Sequence, residues 1–173
     1  MRSRAILLVS VLALAFSVSL KGADLMERFA LDPGGDSFAP QELTFDLYGF
    51  YGSRDKGGSD EDAWGPGVGI NYFITKYVGV GAETYADAFE PPYLINGMGI
   101  FRYPLGDSGL APYAFGGFGR QWDHAAQWLG YIGGGLEYRL NPLTGAFVDV
   151  REVFADRTRD YEMVRFGFRF QLR

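Results

Sequence analysis

From Tyr161 to Leu172 the chain changes character at every step. Met163, Arg165, Gly167, Arg169 and Gln171 hold one parity, and Val164, Phe166, Phe168, Phe170 and Leu172 hold the other. Only a strand sends successive side chains to opposite faces, so this pattern imposes an extended backbone and excludes a helix. A lone strand leaves its backbone donors and acceptors unpaired, so partners must be found elsewhere in the 173 residues.

Seven further segments of suitable length precede it, separated by turn residues: about Glu42–Tyr51, Trp64–Phe73, Tyr77–Ala86, Tyr93–Tyr103, Leu110–Gln121, Gln127–Leu140 and Gly145–Phe154. In five of them the same two-faced pattern is readable. Leu43, Phe45 and Leu47 oppose Thr44, Asp46 and Tyr48, and Val68, Ile70 and Tyr72 oppose Gly67, Gly69 and Asn71. Val78, Val80 and Ala82 oppose Gly79, Gly81 and Glu83. Ile132, Leu136 and Tyr138 oppose Tyr131, Glu137 and Arg139, and Val148 and Val150 oppose Asp149 and Arg151. The fourth and fifth segments are ambiguous, although Asn96 and Arg102 share a parity.

Which face is inside is decided by glycine. The chain has 25 glycines, and many of them share a face with Glu, Asp and Arg. A water-exposed sheet face would carry Thr, Lys or Glu, because glycine weakens a strand there for no return. Glycine beside charge suits the cramped interior of an eight-stranded barrel, with the apolar face turned to lipid. The acids Asp46, Glu83, Glu137 and Asp149 and the bases Arg102, Arg139, Arg151, Arg165 and Arg169 then form a near-neutral polar network in the lumen. The competing architecture is a soluble exported β-barrel or sandwich, with the aromatic rows inward around an apolar ligand.

The connections alternate in length. Ile74–Lys76, Pro104–Gly109 and Asn141–Thr144 are short, whereas Gly52–Ala63, Asp87–Pro92, Trp122–Ala126 and Ala155–Asp160 are longer or more polar. Short turns on one side and longer loops on the other are the habit of outer-membrane barrels. Aromatics near segment ends, including Tyr51, Trp64, Tyr72, Phe73, Tyr77, Tyr85, Tyr103, Trp122, Trp128, Tyr138, Phe154 and Tyr161, would supply interfacial girdles.

The N-terminus reads as an export signal. Arg2 and Arg4 precede an apolar or small stretch from Ala5 to Leu20, shorter than the ~20 residues of a spanning helix. Cleavage after Ser19 would have small residues at −3 and −1, cleavage after Ala23 a good −1 but a poor −3, and a short retained anchor is the alternative. The organisation expected is a signal peptide over 1–23, an extended lead-in over 24–41 and a barrel domain over 42–173. Removing 1–23 takes away three bases and no acid, moving the net charge from −5 to −8. An acidic chain is no nucleic-acid binder, and the absence of cysteine excludes thiolate metal sites and a cysteine nucleophile.

From about Glu42 to Leu172 the chain resembles the small eight-stranded outer-membrane β-barrels of Gram-negative bacteria, the group of the OmpA-like transmembrane domain and the opacity-type proteins. The stretch from Gly67 to Glu83 is similar to that family's second hairpin. Pro112 to Gly119 is similar to its fifth strand, and Gly134 to Pro142 to its sixth strand and turn. The family's last strand carries a signal read by the barrel-assembly machinery, and Arg165, Gly167, Phe170 and Leu172 fit its spacing. Arg173 departs from the usual aromatic terminus. The resemblance implies an all-β, eight-stranded antiparallel up-and-down transmembrane β-barrel. Its implied partners are outer-membrane lipid, lipopolysaccharide and the assembly machinery, and the chain is expected to be a monomer.

Some barrels of this size modify lipid A, and such an enzyme needs a serine activated by histidine. The single histidine, His124, lies beside Asp123, but Ala126 stands where a His-x-Ser motif would place its serine. Ser53 and Ser59 lie in another connection, and Ser108 at the opposite end. The acidic run from Ser53 to Asp62 lacks the spacing of a calcium loop, and no helix follows the glycine-rich stretches to make a phosphate cradle. The expectation is therefore a non-enzymatic barrel with a structural or surface-interaction role and no cofactor. The competing function is a lipid A deacylase-like enzyme. The ligand of the loops is left open.

Overall fold

A computed structural model describes residues 37–55, 60–86, 94–122, 127–156 and 160–172. The signal peptide over 1–23 and most of the lead-in lie outside the described residues, as does His124. Eight strands follow in order: β1 (Glu42–Asp55), β2 (Asp60–Phe73), β3 (Val78–Tyr85), β4 (Leu94–Arg102), β5 (Leu110–Gln121), β6 (Gln127–Asn141), β7 (Thr144–Ala155) and β8 (Tyr161–Leu172). Each pairs antiparallel with the next, and β1 pairs with β8, so the sheet closes into a barrel without edges.

The alternation read from the sequence orients the wall. On β1, Glu42, Thr44, Asp46, Tyr48 and Phe50 are buried, while Leu43, Phe45 and Leu47 are exposed. The same sorting repeats on β8, where Arg165 and Arg169 are buried and Phe166, Phe168 and Phe170 are exposed. The molecule thus buries its charges among aromatic side chains at its centre and presents an apolar surface. That inversion is stable only where the surrounding solvent is hydrocarbon. The height of the apolar band agrees. Trp128 and Tyr138 bracket the outward face of β6. At about 3.3 Å per residue and a tilt near 40°, they stand about 25 Å apart along the barrel axis.

Two expectations need correction. The stretch Gly52–Ala63 is not a long loop. β1 and β2 continue as a hairpin, with Arg54 opposite Glu61 and Asp55 opposite Asp60, and only residues 56–59 connect them. Phe73 is fully buried, and Tyr85 and Tyr161 hydrogen-bond to each other at 3.0 Å on the inner parity. These three rings therefore leave the girdle. Glycine also occurs on the outer face: Gly97 and Gly99 point outward, and a Cβ on them would meet nothing within 4 Å.

The inner face of β4 and β5 holds Leu94, Met98, Ile100 and Phe115, which explains why these two segments showed no polar face. Some inner glycines fill a spatial need. Tyr48 sits opposite Gly67 on β2 and opposite Gly167 on β8, and a Cβ on either glycine would collide with Tyr48.

Candidate functional site

The interior is built around β8. Arg169 donates from Nε and Nη2 to Asp46, both at 2.7 Å, and Asp46 is its direct cross-strand partner on β1. Four residues earlier, Arg165 donates from Nε and Nη2 to Asp149, both at 2.8 Å, and Asp149 is its direct partner on β7. One strand thus clips both of its neighbours with two-pronged bridges, the geometry in which guanidinium and carboxylate bind best.

Toward the end where β1 begins and β8 finishes, these bridges grow into a six-charge cluster. Arg169 also reaches Glu137, and Arg139 Nε lies 2.8 Å from Glu137 Oε1, although misaligned for a hydrogen bond. Glu42 accepts from Arg102 Nη2 at 2.6 Å and from Arg139 Nη2. Asn71 donates to Asp46 at 2.9 Å and to Thr44 at 3.3 Å. The cluster pairs three acids, Glu42, Asp46 and Glu137, with three bases, Arg102, Arg139 and Arg169. Phe38 from the lead-in closes over it. Its ring lies 4.7 Å from the Arg102 guanidinium and 5.1 Å from that of Arg139.

Toward the other end lies a four-charge cluster. Glu83 accepts from Arg165, twice from Arg151, and from Asn96 at 3.1 Å. Asp149 takes the Tyr113 hydroxyl at 2.6 Å as well as Arg165. Two acids face two bases. Between the clusters stands Phe147, its centroid 5.2 Å from the Arg169 guanidinium and 5.8 Å from that of Arg165, with Tyr48 edge-on at 6.2 Å.

All nine charged residues singled out by parity face the interior. A tenth, Glu42, was not among them. It brings the balance to five acids and five bases, and its parity with Thr44 and Asp46 was the available signal. Asn71, Asn96 and Tyr113 also join through hydrogen bonds. Removing ten charges from water is costly, and mutual pairing offsets that cost only when every charge finds a partner. Of the four residues read from the sequence as an assembly signal, Arg165 faces inward, Gly167 lies against Tyr48, and Phe170 and Leu172 face outward at the terminal end of β8.

No catalytic constellation emerges among the described residues. Ser53 pairs across strands with Asp62 and Glu162, and the Ser108 hydroxyl caps a turn through Leu105 O at 2.7 Å. No group of three His, Asp or Glu side chains among the described residues could hold a metal ion.

No protein-family profile matches the chain, and no curated protein matches it in sequence. Solved structures do match in shape. The N-terminal β-barrel domain of Pseudomonas aeruginosa OprF superposes with a TM-score of 0.58 at 20% identity, covering 77% of this chain and 98% of that one. Neisserial surface protein A does so with a TM-score of 0.62 at 10% identity, covering 75% and 97%. The fold is that of the small eight-stranded outer-membrane barrels. Ail, the attachment invasion locus protein of Yersinia pestis, shares this fold with a TM-score of 0.54 at 11% identity, covering 77% and 99%. At such identities only the architecture carries over, and the interior charges have to be argued from this chain's own residues.

Proposed function

We propose that this protein is an integral outer-membrane barrel with a structural or surface-interaction role, non-enzymatic, with its lumen closed by side chains. One observation carries the reading: two ion-pair clusters, each balanced within itself, lie across the interior with an aromatic layer between them. An eight-stranded barrel has room for little besides side chains, and charges already paired offer a passing solute nothing to exchange with.

In this reading the chain is exported through a cleaved signal peptide. The assembly machinery reads Arg165, Gly167, Phe170 and Leu172, and the folded barrel is a monomer among outer-membrane lipid and lipopolysaccharide. The termini and the turns over 74–77, 103–109 and 142–143 face the periplasm. The names of two similar structures, a surface protein and an attachment locus protein, agree with a surface role.

The test has three arms. The protein should fractionate with the outer membrane and shift on a gel when boiled. Vesicles carrying it should retain a small trapped sugar as well as empty vesicles do. His124→Ala should leave the mass of lipid A unchanged. Periplasmic solubility, rapid sugar release or a lipid A mass change would each overturn the corresponding part.

A further inference from the structure

The lipid-facing parity of the described strands carries one basic side chain. On β5 the outward residues run Ala114, Gly116, Phe118 and then Arg120, near the end away from Glu42 and Leu172. Arg102, Arg139, Arg151, Arg165 and Arg169, by contrast, are buried in the interior clusters. Arg120 stands directly opposite Trp128 on β6 and Ile95 on β4. Its guanidinium lies 5.4 Å from the Trp128 ring and 5.9 Å from the Trp122 ring. Both tryptophans are about half exposed. Tryptophans at such a position mark the level of lipid headgroups. A cation held between them, its aliphatic stem over apolar wall, is presented to whatever anion lies at that level.

Below the arginine the wall is cut away. Phe118 is 69% exposed, the highest exposure among the large apolar side chains. Its cross-strand neighbours are Gly97 on β4 and Gly130 on β6. A Cβ on Gly97, Gly99 or Gly130 would meet nothing within 4 Å. Glycine in a strand sacrifices stability, and on a lipid-facing wall valine or leucine would serve better. Gly97 and Gly99 leave a furrow beside Phe118 that leads up to Arg120. Its floor is apolar and its upper end is cationic, which matches a lipid with an anionic head and a straight tail.

We propose that Arg120, Trp122 and Trp128 seat a phosphate monoester of an anionic outer-leaflet lipid, whose acyl chain lies in the furrow over Gly97 and Gly99 beside Phe118. The inference rests on the outer-membrane reading above and deepens it by naming a lipid class and its contacts. Arginine suits the role because its planar fork meets two phosphate oxygens at once.

The experiment uses the full folded barrel in phosphatidylcholine vesicles, with and without added lipid A. Its readout is the midpoint of thermal unfolding as lipid A is titrated. Lipid A should raise the midpoint of the wild type. Arg120→Gln should need about tenfold more lipid A for the same rise, the loss expected for one charge-assisted contact, and Arg120→Lys should restore part of it. Gly99→Val should match or exceed wild-type stability in phosphatidylcholine alone, yet lose most of the response to lipid A. Dephosphorylated lipid A, and inorganic phosphate at the same concentration, should produce no rise. An equal response from Arg120→Gln and wild type would overturn the proposal, as would a response to inorganic phosphate alone. Failure to fold in plain phosphatidylcholine vesicles would instead strike the barrel reading itself, so the two failures are distinct.

Discussion

Asp46 and Arg169 stand 123 positions apart in sequence and directly opposite each other across the β1–β8 seam, joined by two hydrogen bonds of 2.7 Å. The bridge lies where the sheet closes on itself. Substituting Asp46→Asn keeps the shape but removes the charge that balances Arg169. Breaking a buried pair from one side costs about 3 kcal/mol, and urea unfolding of the folded barrel in lipid should show a loss of that size. Arg169→Met added to Asp46→Leu should cost less than the two single substitutions together, because neither charge is then left alone. Additive losses would contradict direct coupling.

Glu42 offers a sharper case, since it is the first residue of its strand and such positions usually tolerate change within about 0.5 kcal/mol. Here it is 1% exposed and accepts from both Arg102 and Arg139. Beyond Glu42, the closest carboxylate to Arg102 is Glu137 at 3.8 Å. Glu42→Gln should therefore destabilise by about 2 to 3 kcal/mol. A change indistinguishable from a surface substitution would show that the cluster at this end does not depend on it.

The two classes of glycine should behave in opposite ways. Gly67 faces inward against the Tyr48 ring, and Gly67→Ala should cost about 1 to 3 kcal/mol through overpacking. Shrinking the ring with Tyr48→Leu should recover part of that loss. Outward Gly97 has open space, so Gly97→Ala should be neutral or stabilising in lipid. Equal effects at both positions would mean that the faces are wrongly assigned.

How much of this was legible beforehand follows from where sequence and environment agree. β8 and β5 begin and end where the pattern of residues places them, because their turns are punctuated by proline, glycine or aspartate. Parity located nine of the ten interior charges, since a charge on a strand whose other face is apolar has only one side to occupy. β4 resisted because its signals are exchanged: Leu94, Met98 and Ile100 point inward and Gly97 and Gly99 outward. The ends of β1 and β2 resisted for another reason. Arg54, Asp55, Asp60 and Glu61 are charged at every position, so they show no alternation to read. Glu42 sits at a strand end, where nothing local announces that two arginines from β4 and β6 converge on it.

The central claim is that the apolar parity faces lipid and the charged parity faces the interior. The chain has no cysteine, so single cysteines carrying spin labels can be placed freely. Labels at Phe166 and Phe168 on the outer face, and at Met163 and Phe147 on the inner face, would be tested in vesicles against oxygen and a water-soluble nickel chelate. The account predicts high oxygen and low nickel accessibility at 166 and 168, and low accessibility to both at 163 and 147. Oxygen-shielded labels at 166 and 168 would contradict it.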